Sequence, residues 1–496
     1  MNGRRQFQST VRAQRGIALL ILLILFGLTF AFIMVNAMNK SGSELALARD
    51  QKTRAALDMA KQALLTYAAT SYAESAMSSI SHSPNRGVPG YLPCPDMGPP
   101  GPEGQAAIGG PCGTALVSLL GKLPWNTLGI EPLRDGSGEC LWYAVSGTYK
   151  VIPNGVTTNT ATSNMMNWDT PGLFDVMAAD GVSYLAGNSA SARAVAVILA
   201  PGSAFSGQSR AGPAGLSCGG NYIATAYLET ANSINNSAVS GIASAVTKFI
   251  AGQASNSFND SLVYITRDEL WTAIKKRPDF QVRLNSLTQR IAQCIAEYGK
   301  HNSAGSSDMR LPWAGRMTLT NYSVDSQYDD ANSDPAGRAP YRVNTSDSAT
   351  VNTIVSPYYL PTTTSYCYTL GILDDHDINW YSNWKDHLFY GVAANYRPST
   401  GTTTAPCTSG SCLKINAGAS LYAGVVIFAG ERLASLNQMR DTDTDRANIT
   451  NYLEGNNTSS NSSGNNSYQT GAVTSTFNDM VFCIQPALNV VGPSCP

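Results

Sequence analysis

Charge is scarce in this 496-residue chain: 14% of residues carry it, and 33 bases nearly balance 34 acids. Such a balance builds neither a basic field for nucleic acid nor an acidic one for cationic partners, so no nucleic-acid partner is expected. Histidine is rarer still, with only His82, His301, His376 and His387. No H-E-x-x-H, no phosphate-binding P-loop and no C-x-x-C occurs. Zinc hydrolysis, nucleotide chemistry and thiol redox therefore lack a motif, and neither an enzyme nor a resident cofactor is expected. Proline is absent before Pro84, so nothing in the first eighty residues forbids a helix. Gly, Ser, Thr, Asn and Tyr are plentiful, a composition suited to short strands and long turns.

The N-terminus has basic residues without acidic ones. Arg4, Arg5, Arg12 and Arg15 lie in residues 1–16 with no carboxylate among them, and nineteen uncharged residues follow, Ile17 to Val35. As a helix that run spans about 30 Å, the thickness of a bilayer core. The arginines on its near side keep the N-terminus cytoplasmic and place the bulk of the chain in the periplasm, a single-pass inner-membrane topology. A cleaved secretory signal would have a shorter apolar core, although Val35-Asn36-Ala37 offers a cleavage site. A plain signal anchor fits too. Beyond Ser41 the helical pattern continues, with Leu45, Ala48, Ala55, Ala56, Met59, Ala60, Ala63 and Leu64 on one stripe.

A basic leader ending in Gly16, then Ile17 and an apolar run that passes into an amphipathic helix, resembles the type IV pilin and type II secretion pseudopilin class. The resemblance covers residues 12 to about 70. It implies a prepilin peptidase that cuts after Gly16, methylation of Ile17, and a helix bearing Ile21 and Leu45 that docks against other pilin or pseudopilin subunits. It also implies a structural protein, found at the cell surface if assembled. The fifth residue after the cut is usually Glu in that class and is Ile21 here. In a filament that Glu neutralises a neighbour's terminal amine, because a buried amine without a partner is costly. Its absence points to a minor or tip subunit. The alternative is a membrane-anchored periplasmic or surface binding or adhesion protein that never enters a filament.

The remainder reads as a diverged duplication. LPCP at Leu92 answers LPWA at Leu311, TLGI recurs at Thr127 and Thr369, and LWYAV at Leu141 answers LFYGV at Leu388. AVAVILAPG at Ala194 answers AGVVIFAGE at Ala423, QSR at Gln208 answers QMR at Gln438, and YLE recurs at Tyr227 and Tyr452. SFND at Ser257 answers TFND at Thr476. The apolar runs bounded by Gly and Pro suit buried strands. DELWTAIKKR from Asp268 and FQVRLNSLTQRIAQCIAEYGKH from Phe280 read as helices, the second with Val282, Leu284, Leu287, Ile291, Ile295 and Tyr298 on one face. The expected fold class is α+β: a long N-terminal membrane-spanning helix followed by two tandem pilin-like helix-plus-antiparallel-sheet units. The expected divisions are a leader at 1–16, a helix at 17–80, a β-rich unit at 81–267, a helical connector at 268–303 and a second unit at 304–496.

Ten cysteines, an even number in a chain read as exported, suggest disulfides. Proximity suggests Cys94 with Cys112, Cys407 with Cys412, and Cys483 with Cys495. Two acidic clusters stand out. Asp441, Asp443 and Asp445 alternate as at the start of a calcium loop, though the sixth position lacks Gly and the twelfth lacks an acid. Asp374, Asp375 and Asp377 surround His376, and His376 and His387 bracket Trp380 and Trp384 as in a carbohydrate cleft. Solvated turns and a packed aromatic turn are the plainer readings of the same residues.

Overall fold

A computed structural model of the chain describes residues 44–70, 88–107, 110–150, 165–301, 309–343, 366–398, 406–463 and 466–495. The leader, Gly16, Ile17, Ile21 and the apolar run to Val35 lie outside the described residues, as does His82.

Helix α1 occupies 44–70. It buries Ala56, Leu57, Ala60, Leu64, Leu65, Ala68 and Ala69, a stripe at three- and four-residue spacing. Leu45 and Met59, expected on that stripe, are 62% and 54% exposed. The stripe begins only at Ala56; before it the helix meets the body where the Arg49 backbone lies against Gly136 and Thr53 Oγ1 accepts from Gly136 N–H (2.9 Å). Helix α2 (Arg267–Lys275) starts on a Thr266 cap, and α3 (Pro278–His301) follows at once. Val282 stands outside the buried face of α3, which carries Leu284, Leu287, Ile291 and Ile295.

The first half of the sheet-forming chain holds β1 (Leu119–Lys122), β2 (Trp142–Val145), β3 (Phe174–Met177), β4 (Tyr184–Ala186) and β5 (Ala194–Ala200). A small hairpin, β6 (Thr230–Ala231) with β7 (Ile234–Asn235), precedes β8 (Thr247–Ile250) and β9 (Ser261–Thr266). The strand order is β1-β2-β5-β3-β4, with β9 also on β5 and β8 also on β3. The second half holds β10 (Ala336–Arg338), β11 (Leu388–Val392), β12 (Leu413–Ile415), β13 (Leu421–Tyr422), β14 (Gly424–Phe428), β15 (Ser467–Tyr468), β16 (Met480–Ile484) and β17 (Val490–Val491). There the orders are β10-β11-β14-β16-β17 and β13-β12-β15.

The two halves repeat one plan. The antiparallel path β1-β2-β5-β9 matches β10-β11-β14-β16. The hairpin β3-β4 with β8 parallel to β3 matches β12-β13 with β15 parallel to β12. Register agrees to the residue. Trp142 faces Leu199 and Ala200 faces Ser261, while Phe389 faces Ile427 and Phe428 faces Met480. This pairs Ala200 with Phe428, one residue away from the alignment that sets Ala194 against Ala423. A slip of one residue in a strand exchanges its two faces, so the register decides the correspondence.

The architecture corrects the expected fold class. Among the described residues no helix is long and apolar enough to cross a membrane. The chain is mixed α/β with many short strands, and apart from α1 and α3 its described α-helices have ten residues or fewer, the shortest being α4 (Tyr366–Thr369). Each half contains a parallel pair, so neither is a purely antiparallel sheet. Nor are the halves separate units in tandem. One apolar core takes in Leu64 of α1, Tyr143 of β2, Ile198 of β5, Trp271 of α2, Leu287 of α3, Phe389 of β11 and Ile427 of β14. The opposite face of the first sheet, with Trp142, Ala144, Val197 and Leu199, packs a second core. Strand β5 is buried along its whole length because both of its faces are covered. Helix α3 lies across β14, β16 and β17 and joins the shared core to the second sheet.

Candidate functional site

The seam between the halves concentrates the molecule's buried polar chemistry. Residues 165–170 of the first half form a tight knot: Asp169 N–H donates to Asn167 Oδ1 (2.9 Å), Asn167 N–H to Thr170 Oγ1 (3.0 Å) and Thr170 Oγ1 to the Met165 carbonyl (2.6 Å). The knot reaches helix α5 (Asp375–Trp384) and the turn after it. Met166 N–H donates to Asn383 Oδ1 (2.6 Å), and Asn167 Nδ2 to the Asn383 carbonyl (2.9 Å) and Asp386 Oδ1 (3.1 Å). Around it Trp168 meets Trp384 edge-on at 4.5 Å, and Trp271, Phe280, Trp380 and Phe428 close the aromatic cluster.

His387 stands between two carboxylates. Its Nδ1 is 2.8 Å from Asp386 Oδ1 and its Nε2 is 2.9 Å from Asp169 Oδ2. Trp168 Nε1, which can only donate, is also 2.8 Å from Nε2, so that nitrogen serves one of the two at a time. Arg440 Nη1 donates to Asp169 Oδ2 at 3.1 Å, and Arg432 Nε lies 3.1 Å from Asp169 Oδ1. Burial alone would raise the Asp169 carboxyl. Arg440, then His387 and Arg267, overcome it and hold the group well below the usual carboxylate range. Burial likewise opposes ionisation of Asp386, and His387, Arg446 and Arg338 bring it down to about 2. Asp169, Asp386, His387 and Arg440 are 2% exposed or less. A reacting group must meet substrate, and these meet only protein. The arrangement is a sealed ionic clasp, not a cleft.

A second polar arrangement occurs twice. In the first half Gln208 Nε2 donates to Glu229 Oε1 (2.8 Å), Asn259 N–H to Glu229 Oε2 (3.0 Å), and Glu229 N–H and Asn236 Nδ2 to Asp260 Oδ2 (2.9 and 3.0 Å). In the second half Gln438 donates to Glu454 Oε1 (2.7 Å), Asn478 N–H to Glu454 Oε2 (3.0 Å), and Glu454 N–H and Asn457 Nδ2 to Asp479 Oδ2 (3.0 and 2.9 Å). The QSR/QMR, YLE and SFND/TFND matches are thus the parts of one buried network. Arg210 and Arg440, the arginines of those triplets, stack on Tyr227 and Tyr452 at 4.8 and 4.2 Å.

All ten cysteines are paired, the pattern of a chain folded outside the reducing cytoplasm. Cys94–Cys112, Cys407–Cys412 and Cys483–Cys495 are the pairs that proximity suggests. Cys140–Cys218 and Cys294–Cys367 are long-range and escape that rule. The acidic clusters cap helices. Thr442 and Asp445 form the capping box of α6 (Asp443–Ala447), while Asp441 turns to Arg432 at 3.0 Å. Asp374 and Asp377 box the start of α5 and pair with Arg283 and Arg290. Among the described residues no three of His, Cys, Asp and Glu gather as a metal ion requires.

His376 and His387 do not flank an open cleft, since Trp380 and Trp384 are 1% and 0% exposed. One short catalytic pattern is present, G-L-S-C-G at Gly215–Gly219. A nucleophile elbow of that form needs a strand-turn-helix. Here it lies in a loop, with Cys218 in a disulfide and the Ser217 N–H donating to Glu103 (2.6 Å). A shallow depression lined by Ser420, Leu421, Tyr422, Gln485, Pro486 and Ala487 has no acid or base in its wall.

The seam has a signal in the sequence. Asn167-Trp168-Asp169 and Asn383-Trp384-Lys385-Asp386 both set an Asn-Trp pair just before an aspartate, and they clasp each other across the halves. Compared with family models, curated proteins and solved structures, the chain matches none.

Proposed function

We propose that the chain is an exported assembly protein of the prepilin kind, a minor or tip subunit of a type IV pilus or type II secretion pseudopilus. The observation that carries this reading is the junction Gly16-Ile17, where an arginine-bearing leader without acids gives way to nineteen uncharged residues. Residues 17–35 hold the chain in the inner membrane until it is used, and prepilin peptidase releases the leader. Helix α1 supports the reading: residues 44–48 are exposed, as a stem for neighbouring subunits would be, before the Arg49 backbone meets Gly136 of the body. The five disulfides suit a body outside the cytoplasm. Ile21 favours a terminal place over the body of a fibre. Mass spectrometry of the mature chain tests the proposal. A chain beginning with N-methylated Ile17 is expected. An intact N-terminus, or one cut after Ala37, overturns it in favour of an anchored binding or adhesion protein.

A further inference from the structure

Among its carboxylate oxygens the duplicated network has one unfilled place, and it is the same place in both halves. Three of the four oxygens of the Glu229–Asp260 pair receive donors, as do three of the four in Glu454–Asp479. The fourth, Asp260 Oδ1 in one half and Asp479 Oδ1 in the other, is buried and takes no hydrogen bond from any donor among the described residues. The four side chains are 8% exposed or less. A buried oxygen without a partner costs about 1–3 kcal/mol, and two ionised carboxylates held together cost more. A hydrogen on that oxygen removes both penalties, because the Glu carboxylate beside it can accept.

We propose that each half folds around one trapped proton, shared between Asp260 and Glu229 in the first and between Asp479 and Glu454 in the second. Among the described residues the surroundings supply no counter-charge that would release it. Arg210 touches the first network through Gln208 Oε1 (2.9 Å) and is otherwise turned to Glu139 and to the carbonyls of Gly202 and Ala226. Arg440 is turned to Asp169 and to the carbonyls of Gly430 and Asn451. Glu431, whose carbonyl accepts from Asn478, is paired with Lys275. Burial first, then the neighbouring glutamate, pushes Asp260 up to about 8 and Asp479 well above its ordinary value.

The sign follows from linkage. An aspartate in the unfolded chain ionises near ~4. Between there and about 8 the folded first half holds a proton that the unfolded chain does not. Stability from this source is complete in acid, falls as pH rises through that window, and is flat above it. The seam has the opposite sign: Asp169 and Asp386 are held ionised, and acid removes their contribution.

The test uses the full chain in detergent, as wild type and as the double variant Asp260→Asn, Asp479→Asn, which keeps a donor at the unfilled place without a proton to lose. The wild-type thermal midpoint is expected to fall by several degrees relative to the variant between pH 5 and pH 9. The infrared difference spectrum at pH 7 is expected to show carboxylic-acid carbonyl absorption in the wild type that the variant lacks. Parallel pH profiles with no such absorption overturn the proposal. Should the double variant not fold, the difference spectrum is taken with Asp260→Asn alone, and absence of the acid absorption again overturns it.

Discussion

The two halves share strand order, register and a buried network, yet they treat one arginine differently. In the first half Arg210 pairs with Glu139 at 3.2 Å, two residues before Leu141, and the residue between them, Cys140, is bonded to Cys218. In the second half the corresponding stretch is Asp386-His387-Leu388, and Arg440 is turned to Asp169 of the first half. The first half closes on itself with a local ion pair and a disulfide. The second gives up both and uses the freed groups to hold its partner. The common part is what the fold requires of each copy, whereas the divergent part is what joining two copies requires.

That contrast is broken most sharply by removing each arginine in turn. Arg440→Ala leaves Asp169 buried with fewer cations, and loss of one partner of a buried pair costs about 3–5 kcal/mol. Arg210→Ala is milder, about 1–3 kcal/mol, because Glu139 keeps 30% of its side chain in water and can be hydrated. Denaturant unfolding of the two variants checks the order. Equal losses would mean that the seam is no more than a second local pair.

The disulfides give the next comparison. Cys140–Cys218 closes a span of 78 residues and Cys407–Cys412 one of 5. The chain-entropy relation assigns about 4.5 kcal/mol to the first and about 2 kcal/mol to the second. Replacing each pair by serine should lower the thermal midpoint in that order. A larger loss from the short loop would show that Cys140–Cys218 adds little to a half already closed by Arg210 and Glu139.

Much of the repeated part was legible in the sequence, because strands need apolar runs and the buried network needs the same polar residues in both copies. YLE and SFND were readable for that reason, as were the short-range pairs Cys94–Cys112 and Cys483–Cys495. The alignment of AVAVILAPG slipped by one residue because alternating small apolar residues match themselves at neighbouring offsets, and only pairing to β2 and β9 fixes the face. The seam was legible only in part: the Asn-Trp pairs at 167–168 and 383–384 repeat, but nothing in the sequence says that they meet. Asp169, His387 and Arg440 are hundreds of residues apart in two of the three pairings, and neither periodicity nor proximity relates such positions. The shared core was hidden for the same reason, since a repeat in sequence says nothing of how its copies pack.

The smallest effect concerns the segment between QMR and YLE, which the two halves build differently. The first half has a glycine-bearing loop fastened by Cys218, and the second has the one-turn helix α6. Thr442 accepts from Asp445 N–H at 3.1 Å, and Asp445 Oδ2 accepts from Thr442 N–H at 3.0 Å, so the alternating aspartates act as a cap. Thr442→Ala is expected to cost about 1 kcal/mol by thermal unfolding. Calcium added to the wild type should leave the midpoint unchanged, since Asp441 is already paired with Arg432. A rise in midpoint with calcium that Asp443→Asn abolishes would instead make this segment a cation loop. The second half would then be closed by an ion where the first is closed by a disulfide.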